Sequence, residues 1–395
     1  MNRKLRILGV IACRAASCFA VCLAIGPTAA RAAEIKFAPA DSVLVNRAND
    51  QGMFDFVLHT IAVGTGEKET LLLQRLRIDV IKDGETVLTK FVQAERMVSE
   101  TKGLTSGPER IFLGAQLLTQ EGASGVFSRA ISPATSSQLA PSQYLLTTRQ
   151  HFSVDFLPTE VRVTAVGEGG TAVGSLPVRR HESKISYIMP LDGAWKLHSL
   201  PMIASHHRLN PPTEFAVDFF KTDDRGVSYV GDPVSATNAL GYGAPVKASA
   251  AGVVVFVIAD DTQDRQAFFP RPGEDAQTTG ARIGAFNMQR YAKDLRRGSG
   301  GNIVTLKHEL DGTVEYSSYG HLKAGSVTVK LGDRVPQGHV IGQVGDTGDS
   351  PAVHLHFQIN SGPDPFFSKS LPAQFSDMRY LGSSRDPARF VTNEK

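Results

Sequence analysis

Two histidines, His354 and His356, stand two residues apart in a segment whose apolar and polar residues alternate as in a β-strand. Side chains at positions i and i+2 of a strand share one face, so both imidazoles can reach one small object. A metal ion suits such a pair, because neutral imidazole binds zinc well and a second imidazole can handle the proton of a water molecule. Taken alone, such a pair more often consists of two exposed histidines that bind nothing. The neighbouring motifs are therefore needed to tell a metal site from an exposed pair.

Two further motifs precede this pair. Residues 319–322 read Tyr-Gly-His-Leu, and residues 214–218 read Glu-Phe-Ala-Val-Asp. Glycines punctuate short apolar runs between the motifs, which is typical of strands and turns. In this combination, residues 200–365 resemble the lysostaphin-type or LytM-like zinc metalloendopeptidases of the duplicated hybrid motif group, which cut peptide cross-links in bacterial cell walls.

The resemblance implies a role for each motif residue. Family members bind metal through the first histidine and the aspartate of an HxxxD motif and through the last histidine of HxH. Asp218 and His356 match the last two ligands, and Glu214 stands where the family has its first histidine. His354 matches the candidate general base, and His321 matches the candidate stabiliser of the oxyanion.

Glu214 affects the expected chemistry. A glutamate can bind zinc, and residues 214 and 218 of an extended segment face the same way. Two carboxylates would neutralise a divalent ion, which makes it a weaker Lewis acid and favours manganese or magnesium more than two imidazoles would. Two alternatives stay open: His206 or His207 supplies the missing imidazole, or Glu214 pairs with Arg208 or another cation and binds no metal.

The function expected from this resemblance is zinc-dependent hydrolysis of the peptide cross-links of peptidoglycan. The cofactor would be a single Zn²⁺ ion, with other divalent metals as alternatives. The partners would be peptidoglycan peptides and, in addition, another murein hydrolase or a regulator. The alternative function is a catalytically degenerate domain that binds cell wall or activates another murein hydrolase.

The first 32 residues predict a secretory signal peptide. They begin with a cationic stretch, continue with a mostly apolar run over residues 7–25 and end in a small-x-small cleavage site at residues 30–32. Arg14 interrupts the apolar run, so a retained transmembrane segment is not expected in the mature chain. The protein is therefore expected to be exported, to the periplasm, and its three cysteines, Cys13, Cys18 and Cys22, would leave with the signal.

Charge gives no indication of nucleic-acid binding. The 395-residue chain has a formal net charge of +3, but cleavage after residue 32 would leave 37 basic against 39 acidic residues and a net charge of −2. No basic stripe with interleaved aromatic residues is present in the sequence. We therefore expect no nucleic-acid partner.

Alternating patterns and turn residues predict an all-β fold. Residues 33–190 are expected to form an immunoglobulin-like β-sandwich accessory domain, with a hairpin around Asp83-Gly84 and a short helix over residues 95–102. Residues 191–365 are expected to form a LytM-like antiparallel β-sheet peptidase domain. Its partly helical insertion at residues 260–299 would hold a basic-faced helix over residues 282–297 and act as a lid or docking element. Residues 366–395 would be a C-terminal extension.

Overall fold

The computed structural model describes residues 33–47, 52–106, 130–198, 206–381 and 389–394. The predicted signal peptide lies outside these ranges. Strands predominate within them and helices are few, which confirms the all-β prediction. None of the helices in the described ranges combines the length and the apolar character needed to cross a bilayer.

Residues 33–179 form two facing sheets around one apolar core. One sheet has the order β1-β4-β9-β7, with β3 on β4, and the other has the order β2-β11-β10-β5-β6, with β8 on β5. The strands are β1 Ala33–Ala38, β2 Val43–Leu44, β3 Asn46–Arg47, β4 Phe54–Thr65, β5 Leu71–Lys82, β6 Glu85–Gln93, β7 Ser132–Pro133, β8 Gln138–Leu139, β9 Gln143–Val154, β10 Glu160–Glu168 and β11 Gly170–Arg179. Phe56 and Leu58 of β4 meet Val161 and Val163 of β10 in the core. We call this unit the first sandwich; an immunoglobulin-like topology stays a prediction.

The predicted hairpin is present in the first sandwich. Strands β5 and β6 pair antiparallel up to Lys82 and Glu85, which leaves two residues in the turn. Asp83 and Gly84 have φ angles of 50° and 89°, and two positive values are what a tight turn matched to the strand twist requires. The chain then enters helix α1, Ala94–Ser106, which contains the helix predicted over residues 95–102.

The second half of the chain is built on one large antiparallel sheet. Its order is β18-β15-β16-β17-β20-β13-β12-β23-β22, with β21 on β20, and β14 and β19 pair separately. The strands are β12 Trp195–His198, β13 Val217–Phe220, β14 Pro245–Lys247, β15 Gly252–Ile258, β16 Asn302–Leu310, β17 Thr313–Leu322, β18 Arg334–Val335, β19 Val340–Gln343, β20 Leu355–Asn360, β21 Ser370–Leu371, β22 Arg379–Leu381 and β23 Arg389–Thr392. Short 3₁₀ turns lie at His207–Leu209, Pro211–Thr213, Ala236–Asn238 and Arg265–Phe268. Strands β21 to β23 extend the sheet beyond residue 366.

Central strands of this sheet carry the motif residues. Strand β20 lies between β13 and β17, and its register sets His356 opposite Asp218 on one side and opposite Gly320 on the other. Alternate residues Leu355 and Phe357 point into the apolar core and are fully buried. The two-residue period of the strand therefore sends the histidines to the opposite face.

Two helices replace the single helix predicted over residues 282–297. Helix α2 spans Ala276–Lys293, and helix α3 spans Leu295–Gly300. Asp275 caps α2 by accepting a hydrogen bond from the amide of Thr278, so α2 begins before the predicted start. Asp294 has an extended backbone conformation, which separates the two helices. Its side chain caps α3 by accepting hydrogen bonds from the amides of Arg296 and Arg297.

Candidate metal centre

Asp218 is the buried centre of the site, and three histidines contact its carboxylate. His207 Nε2 lies 3.0 Å from Oδ2, and His356 Nδ1 lies 3.1 Å from Oδ1. His354 Nε2 lies 3.6 Å from Oδ1. Burial acts to raise the pKa of Asp218, but these histidines outweigh it and hold the pKa well below its usual range. The carboxylate is therefore ionised and available as a ligand.

The tautomer of His356 is set by Gln358. Oε1 of Gln358 lies 2.7 Å from His356 Nε2, while its amide nitrogen faces the main-chain oxygens of Pro212 and Pro365. Because those oxygens only accept hydrogen bonds, Oε1 must accept from His356 Nε2–H. Burial acts to lower the pKa of His356, but the contact of Nδ1 with Asp218 outweighs it and raises the pKa. Loss of the Nδ1 proton would leave a lone pair on the side of Asp218, where a metal ligand needs it.

His354 and His321 are held in the other tautomer. His354 Nδ1 donates to the carbonyl of Ala352 at 2.8 Å, and His321 Nδ1 donates to the carbonyl of Thr347 at 2.7 Å. Burial lowers the pKa of both imidazoles, and Asp218 only partly counteracts this effect. Both rings are therefore neutral, and each has Nε2 as a proton acceptor.

His321 reaches the site through an irregular stretch of strand. Opposite one residue of β16, Ile303, strand β17 has two, Gly320 and His321, so the ladder contains a β-bulge. His321 has φ 57°, in the left-handed region that non-glycine residues seldom adopt. Its ring centroid lies 4.7 Å from that of His354, so the bulge brings the two imidazoles together.

Glu214 does not face Asp218. One carboxylate oxygen accepts from Arg208, and the other lies 2.7 Å from Nε2 of His59 in the first sandwich. Both oxygens are engaged and the side chain is buried. This geometry does not support Glu214 as a metal ligand and agrees with the alternative in which it pairs with Arg208.

A short turn earlier in the chain brings an imidazole to the carboxylate of Asp218. His207 begins a 3₁₀ turn eleven residues before Asp218 and directs Nε2 at its carboxylate. Within the described ranges, His206, His207 and Asp218 form a group whose ligand atoms lie within 4.8 Å of one another, and Glu214 is not a member. His206 is exposed, whereas His356 is close to Asp218 and has an oriented ring, so we favour His207, Asp218 and His356 as the ligand set.

A cleft of about 480 Å³ opens over these groups. Besides the histidines, its walls carry side chains from several elements: Asn210, Phe220, Tyr291, Ile303, Asp349 and Phe366. Phe220 stacks on the ring of His354, with the centroids 4.7 Å apart and the planes 9° from parallel. The cleft is apolar along much of its wall.

The insertion contacts the loop that orients His321 and His354. Helix α2 reaches this loop through Arg290, which donates to the carbonyl of Gly348 at 2.8 Å, and through Asn287 and Tyr291, which both donate to Asp349. The same loop presents the Thr347 carbonyl to His321. The insertion therefore supports the orientation of His321 from one wall of the cleft.

Comparison with known proteins gives one family. The model described as "Peptidase family M23" matches residues 272–366, which include His321, His354 and His356 but neither His207 nor Asp218. No curated protein matches the chain.

Several solved structures are similar. The catalytic domain of the antimicrobial peptidase lysostaphin from Staphylococcus simulans is 26% identical, covers 39% of this chain and 73% of its own, and has a TM-score of 0.22. A putative peptidase M23 from Pseudomonas aeruginosa is 14% identical, covers 76% and 92%, and has a TM-score of 0.26. A zinc containing peptidase from Vibrio cholerae is 14% identical, covers 83% and 84%, and has a TM-score of 0.26. At these TM-scores the chemistry of the site rests on this chain's own residues.

Proposed function

Because residues 272–366 carry a domain of peptidase family M23, we propose that the protein is an exported, periplasmic zinc-dependent endopeptidase that hydrolyses peptide cross-links of peptidoglycan. One observation carries the proposal: three imidazoles from two separate segments converge on the buried carboxylate of Asp218. Structural ion pairs seldom need three histidines around one carboxylate, whereas a zinc site uses such donors.

The donor atoms fit a zinc ion. A tetrahedral site with bonds of about 2.0–2.2 Å separates neighbouring ligand atoms by roughly 3.3–3.6 Å. His207 Nε2 lies 3.0 Å from Oδ2 of Asp218 and His356 Nδ1 lies 3.1 Å from Oδ1, so each ring contacts a different carboxylate oxygen and would move outward to admit an ion between them. His207 Nε2, one oxygen of Asp218 and His356 Nδ1 would hold the ion, with a fourth position open to the cleft. When bound, the ion would polarise the scissile carbonyl and make a nearby water more acidic.

The chain's own residues would handle the proton. His354 Nε2 accepts a proton from the attacking water as the oxygen bonds to the carbonyl carbon, and the proton then passes to the leaving amine as the peptide bond breaks. His321, whose Nε2 has no proton in the neutral ring, donates to the oxyanion only once it is protonated itself. The ring centroids of His321 and His354 lie 4.7 Å apart, so both imidazoles would lie beside the same reacting group.

Digestion of isolated cell-wall sacculi tests this function. We expect the zinc-loaded protein to release uncross-linked peptides that mass spectrometry identifies, and His321→Ala to release none. His339→Ala is the matched control, because His339 is exposed and outside the site. If the wild type binds sacculi without releasing peptides, the degenerate domain that binds wall or activates another murein hydrolase takes the place of the enzyme.

A further inference from the structure

A buried ionic cluster joins the first sandwich to the turn that carries His207. Arg208 is 0% exposed. Its guanidinium donates to Glu214, donates to the main-chain oxygen of Asp55 at 2.7 Å and lies 3.4 Å from the Asp55 carboxylate. His59 completes the cluster from the same strand, β4, by contacting the second oxygen of Glu214. Asp55, His59, Arg208 and Glu214 are called the interdomain cluster below.

The interdomain cluster lies next to a proposed metal ligand, His207. His207 and Arg208 are consecutive residues of one 3₁₀ turn, and their side chains reach opposite sides, His207 to Asp218 and Arg208 to Asp55. The first sandwich also contacts this turn through Arg149, which donates to the carbonyl of Leu209 at 3.4 Å. A buried guanidinium with several fixed partners leaves the turn little freedom, because any rotation would strand charged groups away from water.

We propose that Asp55 and His59 are positioning residues for the metal centre of the other domain. Acting through Arg208 and Glu214, they hold the 3₁₀ turn so that His207 Nε2 faces Asp218. Docking of the first sandwich therefore sets the metal affinity of the site. The proposal rests on the proposed function in that it takes His207 as a zinc ligand, and it assigns Glu214 a role in supporting that ligand.

Zinc affinity of the full chain separates this role from a purely structural one. We compare Asp55→Asn with Asp79→Asn, its matched control. Asp79 is also a buried carboxylate of the first sandwich, paired with Arg77 at 2.9 Å and Thr89 at 2.6 Å, and it has no partner in the second domain among its described contacts. Competition with a chromophoric chelator gives the zinc dissociation constant, and the absorption of bound Co²⁺ reports the geometry of the ligand set.

The expected result is zinc binding at least about tenfold weaker in Asp55→Asn with an altered Co²⁺ spectrum, as for other residues that orient metal ligands. Asp79→Asn should stay within about twofold of the wild type. A folded Asp55→Asn with wild-type affinity overturns the inference, even if its unfolding midpoint is lower. If Asp55→Asn does not fold, Glu214→Gln is measured with the same two criteria. A wild type that binds no zinc contradicts the proposed function instead.

Discussion

His356 Nδ1 lies 3.1 Å from Asp218 Oδ1 because the two residues are direct partners in the register of neighbouring strands β20 and β13. The backbone ladder therefore fixes two of the proposed ligands before any metal binds. The ring of His356 and the carboxylate of Asp218 must still be oriented. Neighbouring side chains do this, as Gln358 does for His356.

Gln358→Leu should weaken zinc binding. The change removes the acceptor that keeps the proton on His356 Nε2, so Nδ1 is no longer reserved for the metal. Loss of such an orienting partner typically reduces metal affinity about 10–100-fold. Chelator competition measures the effect. Gln337→Leu is the control, because Gln337 is exposed and contacts only main-chain oxygens; equal affinities for both variants would contradict the assigned tautomer.

Glu214→His should not create a better metal site. The new imidazole would lie with Arg208 and His59, and Arg208 would lose the carboxylate that balances its buried charge. We expect the free energy of unfolding to fall by about 3–5 kcal/mol, the usual cost of breaking a buried ion pair. Denaturant titration and chelator competition check this result. A variant that binds zinc more tightly than the wild type would return residue 214 to the ligand set.

His354→Ala should abolish turnover while retaining bound zinc. His354 is outside the favoured ligand set. Its Nδ1 donates to Ala352, which leaves Nε2 as the proposed acceptor for the proton of water. Removal of a general base lowers the rate about 10²–10⁴-fold. Hydrolysis of sacculi and metal content by atomic absorption are measured on the same sample. Loss of zinc together with activity would instead make His354 a ligand.

Arg290→Ala should reduce activity without changing zinc affinity. The variant removes the hydrogen bond to Gly348 and frees the loop whose Thr347 carbonyl orients His321. A loss of about tenfold in kcat corresponds to roughly 1.4 kcal/mol of lost transition-state stabilisation. Lys293→Ala, on the exposed face of the same helix, is the control. Unchanged kcat in Arg290→Ala would reduce the insertion to a surface element.

Glu315, which is outside the metal centre, should make the free energy of unfolding depend on pH. Burial acts to raise its pKa, but hydrogen bonds from His181, Ser183 and Tyr187 hold the pKa below the ordinary value of 4.5. A lowered folded-state pKa contributes stability above the unfolded value, and this contribution is lost as the pH falls through the folded value.

Glu315→Gln should therefore be less stable than the wild type at neutral pH, and the difference should shrink as the pH falls below 4.5. Chemical unfolding over this pH range checks the prediction. A difference that stays constant with pH would show that packing, and not the charge, holds the segment of residues 181–187.

Residues on regular strands were predictable from the sequence. The alternation around His354 and His356 predicts one shared face, and the register of β20 with β13 places that face against Asp218. Gln358 follows at the same spacing on the same strand, so a further step of two residues would have found it. The all-β class follows from the same two-residue period.

The sequence left the first ligand open among Glu214, His206 and His207. The family motif directs attention to residue 214, four positions before Asp218, but the imidazole that contacts Asp218 from this part of the chain is that of His207 in a 3₁₀ turn. No periodicity relates the two positions. The direction of His207 depends on the burial of Arg208 against Asp55, a contact over 153 residues of chain, and only the folded structure reveals it.

The bulge at His321 makes the centre hard to copy. In a regular ladder, residue 321 would follow the strict alternation of β17, and its imidazole would not lie beside His354. The positive φ of His321 instead places the ring beside His354. A protein engineer who grafted only the histidines and the aspartate onto an ideal sheet would thus obtain the right residue types in the wrong arrangement. The extra residue in the strand is therefore as necessary for the arrangement of the site as the side chains are.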